Sequence, residues 1–226
     1  MKSTMRGGSD KKLNTRNRIL EASLALLNDK GPDRVTTAEI ARTVGINEGN
    51  LYYHFKTKEA LLVALFQQLE ADAITFSSAI GANEITEAGA YAAFMREWFS
   101  IVWTHRYMFR DFPGVMANAP SLKEPIRVLS GAMQLAVQAA IRQMGDVGLI
   151  YIPKGDAEAL LANVWIVSTY WAVYLSLQEG VEDLRPHHLD WGLNQVTSLF
   201  RPYLSPNALH ELQALLAQPF ATGEAS

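Results

Sequence analysis

Hydrogen-bonding side chains are concentrated in one short stretch of the chain, residues 45–55, which reads GINEGNLYYHF. Two asparagine amides, two tyrosine hydroxyls and a histidine imidazole fall between positions 47 and 54. Such groups can hydrogen-bond to phosphate oxygens and to the donor and acceptor edges of bases. A hydrophobic core takes about one inward-facing ring per helical turn. Three successive polar rings therefore predict contact with a polar partner.

The length of this stretch fits a nucleic-acid reader. A helix from Asn47 to Tyr53 would be about 10 Å long, which fits end-on into a major groove about 12 Å wide. Gly49 would let the backbone approach closely, and threonines at the start of the preceding helix can hold a phosphate with hydroxyl and N–H groups. The candidate DNA-contacting residues are Thr36, Thr37, Asn47, Glu48, Gly49, Asn50, Tyr52, Tyr53, His54, Lys56 and Lys58.

The elements that position these residues are predicted by the spacing of Ala41, Gly45 and Leu51. A helix-turn-helix needs a small residue where its helices nearly touch, a residue that tolerates positive φ in the turn, and apolar residues that hold the helices together. An ordinary helical hairpin uses the same residue types, so this spacing alone leaves a purely structural role open. The apolar positions are Ile40, Val44, Ile46 and Leu51.

Charge is unevenly distributed along the 226 residues, whose formal net charge is −3. Residues 1–60 contain eleven Lys and Arg against seven Asp and Glu, whereas residues 61–226 contain nine against sixteen. A basic segment on an acidic body suits contact with phosphate, although the same balance is common on solvated surfaces. The absence of cysteine excludes disulfides and cysteine–metal sites. The polar N-terminus lacks the apolar core of a secretory signal, so we expect a cytoplasmic protein.

Apolar periodicity and capping signals predict an all-α protein of about ten helices. We expect a disordered arm over residues 1–12, a three-helix helix-turn-helix domain over 13–60, and a larger helical domain over 61–226. A turn or short helix is expected to end at Pro113–Gly114, and Ser121 with Glu124 is expected to open the next helix as a capping box. The other helices are predicted over about 15–30, 37–44, 47–53, 58–76, 88–104, 121–144, 157–178, 188–201 and from 206 onward, with Thr36, Asn47 and Ser205 as the caps of the helices that start near them.

Residues 14–65, which contain TRNRILEASLALLNDKGPDRVTTAEIARTVGINEGNLYYHFKTKEALLVAL, resemble the DNA-binding domain of the tetracycline-repressor (TetR) family. The segment GNLYYHFKTKEAL is highly specific to that family. The chain departs from the family at Glu48, where many members carry Lys or Pro. An acid there can accept a hydrogen bond from cytosine N4 or face water, and we expect that it faces water. The resemblance implies DNA contacts at Thr37, Gly49, Tyr52, Tyr53, His54 and Lys58.

Aromatic residues are dense in the C-terminal part of the chain. Eight of the 22 residues from Tyr91 to Phe112 are aromatic. Most such rings belong to a hydrophobic core, but together with methionines they can also line a ligand cavity. The resemblance implies an inducer pocket here, and we expect an apolar or aromatic small-molecule effector. The expected ligand-binding residues are Trp98, Trp103, Phe112, Met133, Trp165 and Tyr170.

Residues 159–177, ALLANVWIVSTYWAVYLSL, contain no charged side chain. Their length would allow a transmembrane helix, but polar residues are scattered through them and acidic residues follow in place of a positively charged flank. A helix that is apolar all round is more simply explained by burial on two sides, by its own core and by a partner subunit. The resemblance implies a homodimer formed by four helices, and we assign its interface to about 157–178 and 188–203.

Other candidate chemistry is sparse. His187 and His188 are adjacent, so on a helix they point about 100° apart and do not readily chelate one ion. We expect exposed or capping roles for them, and no metal or cofactor. The sequence contains no Gly-rich phosphate loop, serine nucleophile elbow or paired-carboxylate arrangement, so no enzymatic activity is predicted.

Together these features predict a homodimeric, ligand-responsive DNA-binding regulator. Its simplest form is a repressor that binds a palindromic operator in double-stranded DNA and is released by its effector. Two other classes stay open on the sequence alone. One is an α-helical small-molecule carrier or enzyme whose N-terminal hairpin does not bind DNA, and the other is a membrane-anchored regulator.

Overall fold

The computed structural model describes residues 6–82 and 87–216, and the all-α prediction is confirmed. These two ranges also contain 3-10 turns at Pro120–Leu122 and Arg201–Tyr203 and one isolated bridge between Ile150 and Leu204. Eleven α-helices are formed within them: α1 (Arg6–Lys30), α2 (Thr37–Val44), α3 (Glu48–His54), α4 (Lys58–Ala82), α5 (Ala88–Thr104), α6 (Arg106–Arg110), α7 (Phe112–Asn118), α8 (Lys123–Asp146), α9 (Ala157–Gln178), α10 (Pro186–Phe200) and α11 (Pro206–Leu216).

Three predicted helix starts are confirmed by the hydrogen bonds at their caps. A polar side chain just before a helix accepts from backbone N–H groups that have no partner within the helix. These acceptors are the Thr36 hydroxyl for the Glu39 N–H at 3.2 Å, the Asn47 side-chain oxygen for the Asn50 N–H at 2.8 Å, and the Ser205 hydroxyl for the Ala208 N–H at 3.3 Å.

Helix α1 begins at Arg6, so the predicted disordered arm over residues 1–12 is wrong for residues 6–12. Residues 1–5 lie outside the described part of the chain. The prediction depended on apolar periodicity, and the sequence RGGSDKK at 6–12 offers none. A helix that is already nucleated adds one hydrogen bond for each further residue, so α1 continues into a polar segment that carries no periodic signal.

Two predicted boundaries after α6 are also wrong. Pro113 lies in the first turn of α7 rather than after a helix, a position where proline loses no hydrogen bond because the N–H there has no intrahelical partner. The Asp111 carboxylate caps α7 by accepting from the Gly114 N–H at 3.0 Å. Ser121 does not open a capping box, because its hydroxyl donates to the Glu59 carboxylate at 2.6 Å.

The chain forms two compact units, and the first combines residues through Leu69 with the segment His105–Pro125. That segment is fastened to α1: the Tyr107 N–H donates to the buried Asn28 side chain at 2.9 Å, and the Arg110 guanidinium donates to the Asp29 carbonyl at 3.0 Å. The predicted boundary after residue 60 therefore differs from the observed one. Bonds between segments far apart in the chain leave no signal in local periodicity.

The second unit comprises Glu70–Thr104 and the chain from Ile126 onward. Helix α10 packs against α5 and α9, and Gly192 lies where these helices approach closely. A methyl group built on Gly192 would lie 2.8 Å from Cδ2 of Trp171 and 3.0 Å from Cε1 of Phe99. Glycine is therefore required at this position by packing rather than by backbone conformation.

We expect Gly192→Ala to lower the free energy of unfolding by about 1–3 kcal/mol, because the added methyl group overpacks the core. Gly131→Ala on α8 is the matched control, since a methyl group there meets no atom within 4 Å. Alanine is the better helix former, so the control should be neutral or stabilising by up to about 1 kcal/mol. Urea unfolding followed by circular dichroism measures both, and equal effects would contradict the packing argument.

Candidate nucleic-acid interface and ligand cavity

The turn between α2 and α3 is formed by Gly45, whose φ of 75° lies in the left-handed region that favours glycine. The Ile46 N–H donates to the Ala41 carbonyl at 2.9 Å, which satisfies one of the last carbonyls of α2. The Arg18 guanidinium of α1 donates to the Val44 carbonyl at 2.6 Å. These bonds set the direction in which the chain enters α3.

Helix α3 is seven residues long and has a buried and an exposed side. Leu51 is fully buried, and Phe55 directly after the helix is 3% exposed. The Arg16 guanidinium lies 4.9 Å from the centre of the Phe55 ring, a cation–π contact. Tyr52 and Tyr53 are 41% and 59% exposed. The aromatic run is thus divided between one anchoring ring and two rings that face solvent.

Three of the candidate DNA-contacting residues are hydrogen-bonded to one another. The Thr37 hydroxyl donates to the Glu48 carboxylate at 3.2 Å, and the oxygens of Thr37 and Tyr52 lie 3.0 Å apart. A threonine hydroxyl has one proton, so Tyr52 is the donor to Thr37 when Thr37 donates to Glu48. Glu48 is exposed to solvent, as expected, and its carboxylate in addition connects the start of α2 to the start of α3 through Thr37.

The candidate cations have different surroundings. The Lys58 ammonium donates to the Pro32 carbonyl, and partial burial lowers the pKa of this lysine while nearby Asp33 opposes that shift. The ammonium group of Lys58 thus contacts the loop before α2 within the protein itself. Lys56, by contrast, is exposed to solvent.

The remaining candidates are distributed between capping and exposed positions. The Thr36 hydroxyl and the Asn47 side chain serve as helix caps, as described above. Asn50 and Gly49 are exposed. His54 is half-buried at the end of α3, with its ring 5.4 Å from the Tyr53 ring in an edge-on arrangement. A methyl group on Gly49 would touch only the Asn47 side chain at 3.4 Å, so packing within the protein does not require glycine there.

A cavity of about 530 Å³ lies within the second unit, between residues of α4, α5, α8, α9 and α10. One wall is aromatic: the Phe76 and Phe94 rings are stacked with centroids 4.6 Å apart, and Trp98 lies 5.6 Å from Phe76. Arg127 is the charged residue of the lining, and it is exposed to solvent. This volume falls in the range of small-molecule pockets.

Three of the six expected ligand-binding residues line this cavity, namely Trp98, Met133 and Trp165. Trp103 and Tyr170 do not, and each lies five positions after a lining tryptophan. Five residues rotate a helix by about 140° from the starting direction, so these rings point elsewhere.

Phe112 does not line the cavity for another reason: it begins α7, which belongs to the first unit. Sequence reasoning missed the other walls, where Val137, Ile141 and Met144 recur at helical spacing on α8.

Helix α9 has one buried and one exposed apolar side. Trp171 and Leu175 are buried in the second unit. Five large apolar residues of α9 are exposed, and one of them, Trp165, lines the cavity. The other four recur at helical spacing and form what we call the α9 stripe: Ile166, Tyr170, Tyr174 and Leu177, exposed by 53%, 44%, 48% and 75%. By length and composition α9 could also cross a membrane, yet it packs against α10 within this unit.

The adjacent histidines lie at the start of α10. The Nδ1 atom of His188 accepts from the Arg185 N–H at 2.8 Å, and the two imidazole rings lie 4.0 Å apart. Partial burial, His187 and Arg185 all lower the pKa of His188, which favours the neutral ring that this cap needs. Among the described residues no group of three or more His, Asp and Glu side chains is placed to hold a metal ion.

Comparison with protein families matches both parts of the chain. A model described as bacterial regulatory proteins, tetR family, matches residues 19–65, and a second model, TetR, described as bacterial transcriptional repressor, matches residues 71–212. A crystal structure of a TetR-family transcriptional regulator from Marinobacter aquaeolei VT8 superposes with a TM-score of 0.78 at 29% identity, covering 89% of this chain and 97% of that one.

Curated relatives are similar over shorter stretches. The tetracycline repressor protein class A from transposon 1721 of Escherichia coli is 41% identical over 61 residues, 27% of this chain and 28% of that protein. The nucleoid occlusion factor SlmA of Haemophilus ducreyi is 34% identical over 98 residues, 43% of this chain and 45% of that protein. The chain therefore matches less than half the length of these relatives.

The cap of α3 can be tested without DNA. Asn47→Ala removes the acceptor for the Asn50 N–H and should destabilise the first unit by about 1 kcal/mol, whereas Asn47→Asp retains an acceptor and should cost much less. Hydrogen exchange of the α3 amides and thermal unfolding would measure the difference. Equal protection in the alanine and aspartate variants would show that the cap does not hold this helix.

Proposed function

The chain belongs to the TetR family of bacterial transcriptional regulators, and on that premise we propose that it is a homodimeric repressor that binds a palindromic operator and is released by a small apolar or aromatic effector. Such a protein works where the DNA is, so we place it in the cytoplasm. We assign it no enzymatic activity.

The observation that carries this proposal is the exposed side of α3. A helix of seven residues is about 10 Å long, which suits end-on entry into a major groove about 12 Å wide. Its buried side rests on Leu51, which leaves Tyr52 and Tyr53 exposed. The Tyr53 hydroxyl can hydrogen-bond to a phosphate or a base edge, the Tyr52 hydroxyl can accept from a base amino group, and both rings can contact a thymine methyl group.

Two further positions support contact with DNA. Gly49 is exposed on α3 and is not required by the protein's own packing, so its lack of a side chain favours close approach by something outside the chain. Asn50 is exposed one position later and can pair with the N6 and N7 atoms of adenine. We assign Glu48 to positioning Thr37 and Tyr52, because a carboxylate repels phosphate while its bond to Thr37 connects the two helix starts.

The α9 stripe supports a homodimer. Apolar side chains that remain in water carry an unfavourable free energy, which is removed when another surface covers them. A second copy of the same helix, related by a two-fold axis, would cover the stripe with an identical one. Two copies of α3 would then read two half-sites, with centres about 34 Å apart or somewhat more.

Release by an effector requires that the ligand prefer one arrangement of the protein, since equal affinity for both shifts nothing. Helix α5 supports a coupling between the cavity and the helix-turn-helix, because the chain continues from α5 directly into α6. It carries Met95 and Trp98 of the cavity wall, and the chain passes from its last residue, Thr104, into α6, which hydrogen-bonds to Asn28 of α1. A ligand that alters α5 can therefore alter the support of the helix-turn-helix.

Binding to DNA is tested by mobility shift with fragments flanking the protein's own gene and with a selected random pool. Affinity should fall steeply as salt rises, because phosphate contacts release counterions. Tyr53→Ala should weaken specific binding by about tenfold while leaving helix content unchanged. Tyr151→Ala is the control, since Tyr151 is exposed but lies in the second unit. Binding that stays at the non-specific level for every fragment would favour the carrier or enzyme alternative.

The dimer interface is tested by sedimentation. Tyr170→Arg places a charge in the α9 stripe and should raise the dimer dissociation constant at least about tenfold, because a desolvated charge without a partner is costly in an interface. Tyr151→Arg makes the same change on an exposed tyrosine outside α9. If Tyr170→Arg sediments as a dimer over the concentration range in which wild type does, the stripe is not the interface.

A further inference from the structure

The lining of the cavity in the second unit has an enclosed part and an opening. Phe76 and Met133 belong to the enclosed part and are 2% and 5% exposed. The lining residues that are exposed to solvent all belong to α8 or α9, so the cavity opens between these two helices. They are Arg127, Gly131, Gln134, Ala162, Trp165 and Ile166.

The α8 side of this opening is polar. Arg127, Ser130 and Gln134 follow one another three and four positions apart, so their side chains lie on one side of the helix. Arg127 has an interaction within the protein, but a guanidinium carries five N–H donors, so it can bind a further acceptor. Among the described lining residues none is acidic. An anion at the opening would therefore meet a cation and no like charge from the lining.

The enclosed part of the cavity suits an uncharged, flat body. The Phe76 and Phe94 rings are stacked with centroids 4.6 Å apart, and Trp98 lies 5.6 Å from Phe76. Aromatic ligands gain from offset and edge-on contacts with such a wall. A charged group moved among these rings would lose its water without gaining a counter-charge, which is strongly unfavourable. An ionised group on a ligand is therefore confined to the opening.

We propose that the cavity binds an amphipathic aromatic acid, with its rings against Phe76 and Phe94 and its carboxylate at the opening, where Arg127 supplies the counter-charge. The planar guanidinium can donate two parallel hydrogen bonds to a carboxylate. The proposal rests on the proposed function only in taking this cavity as the effector site, and it narrows the effector to aromatic monocarboxylates. Arg127 lies on α8 and not in the α9 stripe, so the assignment does not depend on the dimer interface.

Biphenyl-4-carboxylate and biphenyl-4-carboxamide test the charge at the opening, because they have nearly the same shape and differ in charge. Binding to the full chain near neutral pH is measured by calorimetry and by quenching of tryptophan fluorescence, since Trp98 and Trp165 line the cavity. The carboxylate should bind wild type at least about threefold more tightly than the amide. Added NaCl should reduce this ratio, because an exposed Arg127 is screened by salt.

Three variants at exposed positions of α8 assign the preference to one guanidinium. Arg127→Gln should reverse it, because the carboxylate then lacks its counter-charge and the amide binds more tightly. Arg127→Lys keeps the charge without the planar fork and should restore the preference in part. Arg142→Gln is the matched control, since Arg142 is exposed on the same helix but lies outside the lining. It should leave the ratio within about twofold of wild type.

A series of acids distinguishes the cavity from a surface site at Arg127 alone. Benzoate, 2-naphthoate and biphenyl-4-carboxylate share one head group and increase in apolar area. Their affinity should rise along the series in wild type and in Arg127→Gln alike, because each added ring buries more apolar surface. Equal affinity for the three acids would show that the rings stay outside the cavity and would overturn the proposal.

The other outcomes separate the aromatic-acid site from the proposed function. Equal binding of carboxylate and amide by wild type, a preference that survives in Arg127→Gln, an equal effect of Arg142→Gln, or no binding of the carboxylate up to its solubility limit would each contradict the site. Operator binding is measured separately by mobility shift. A protein that binds the acid through Arg127 but binds no operator contradicts the repressor and leaves the site standing. A protein that binds operator but not the acid contradicts only the site.

Discussion

The structure of the exposed side of α3 depends on the burial of Leu51 beneath a helix too short to be stable alone. An isolated helix of seven residues does not form in water, because nucleation costs more than so few hydrogen bonds return. Contacts from outside α3 are therefore needed to stabilise it. Leu51 and Phe55 anchor it, Asn47 caps it, and Gly45 turns the chain into it. The tyrosines can be exposed only because other residues hold the helix.

The same dependence extends to the segment His105–Pro125. Asn28 near the end of α1 is buried, and its side-chain oxygen is satisfied by a backbone N–H almost eighty positions away in the chain. A buried amide without that partner would cost free energy. The helix-turn-helix unit is therefore completed by residues that follow α5, and the chain runs from the cavity wall into that completing segment.

The sequence predicted the parts of the molecule that local rules determine. The caps at Thr36, Asn47 and Ser205 follow from which polar side chains can accept hydrogen bonds from backbone N–H groups. The assignment of segments to α-helices follows from the spacing of their apolar residues. Pairings between distant residues, such as Ser121 with Glu59, leave no such signal. The cavity was predicted as a class of site, but Trp103 and Tyr170 lie outside its lining, because composition does not contain the rotation of each helix.

The bond between Thr37 and Glu48 also sets the polarity of the tyrosine that follows. A carboxylate only accepts, so the Thr37 hydroxyl donates to Glu48, and the Thr37 oxygen in turn accepts a hydrogen bond from the Tyr52 hydroxyl. The phenol of Tyr52 is thereby left with lone pairs, not a proton, directed to its free side. In this state it complements amino groups, such as adenine N6 or cytosine N4, rather than phosphate oxygens. In the proposed complex Glu48 would thus act through Thr37 to make Tyr52 an acceptor for base amino groups.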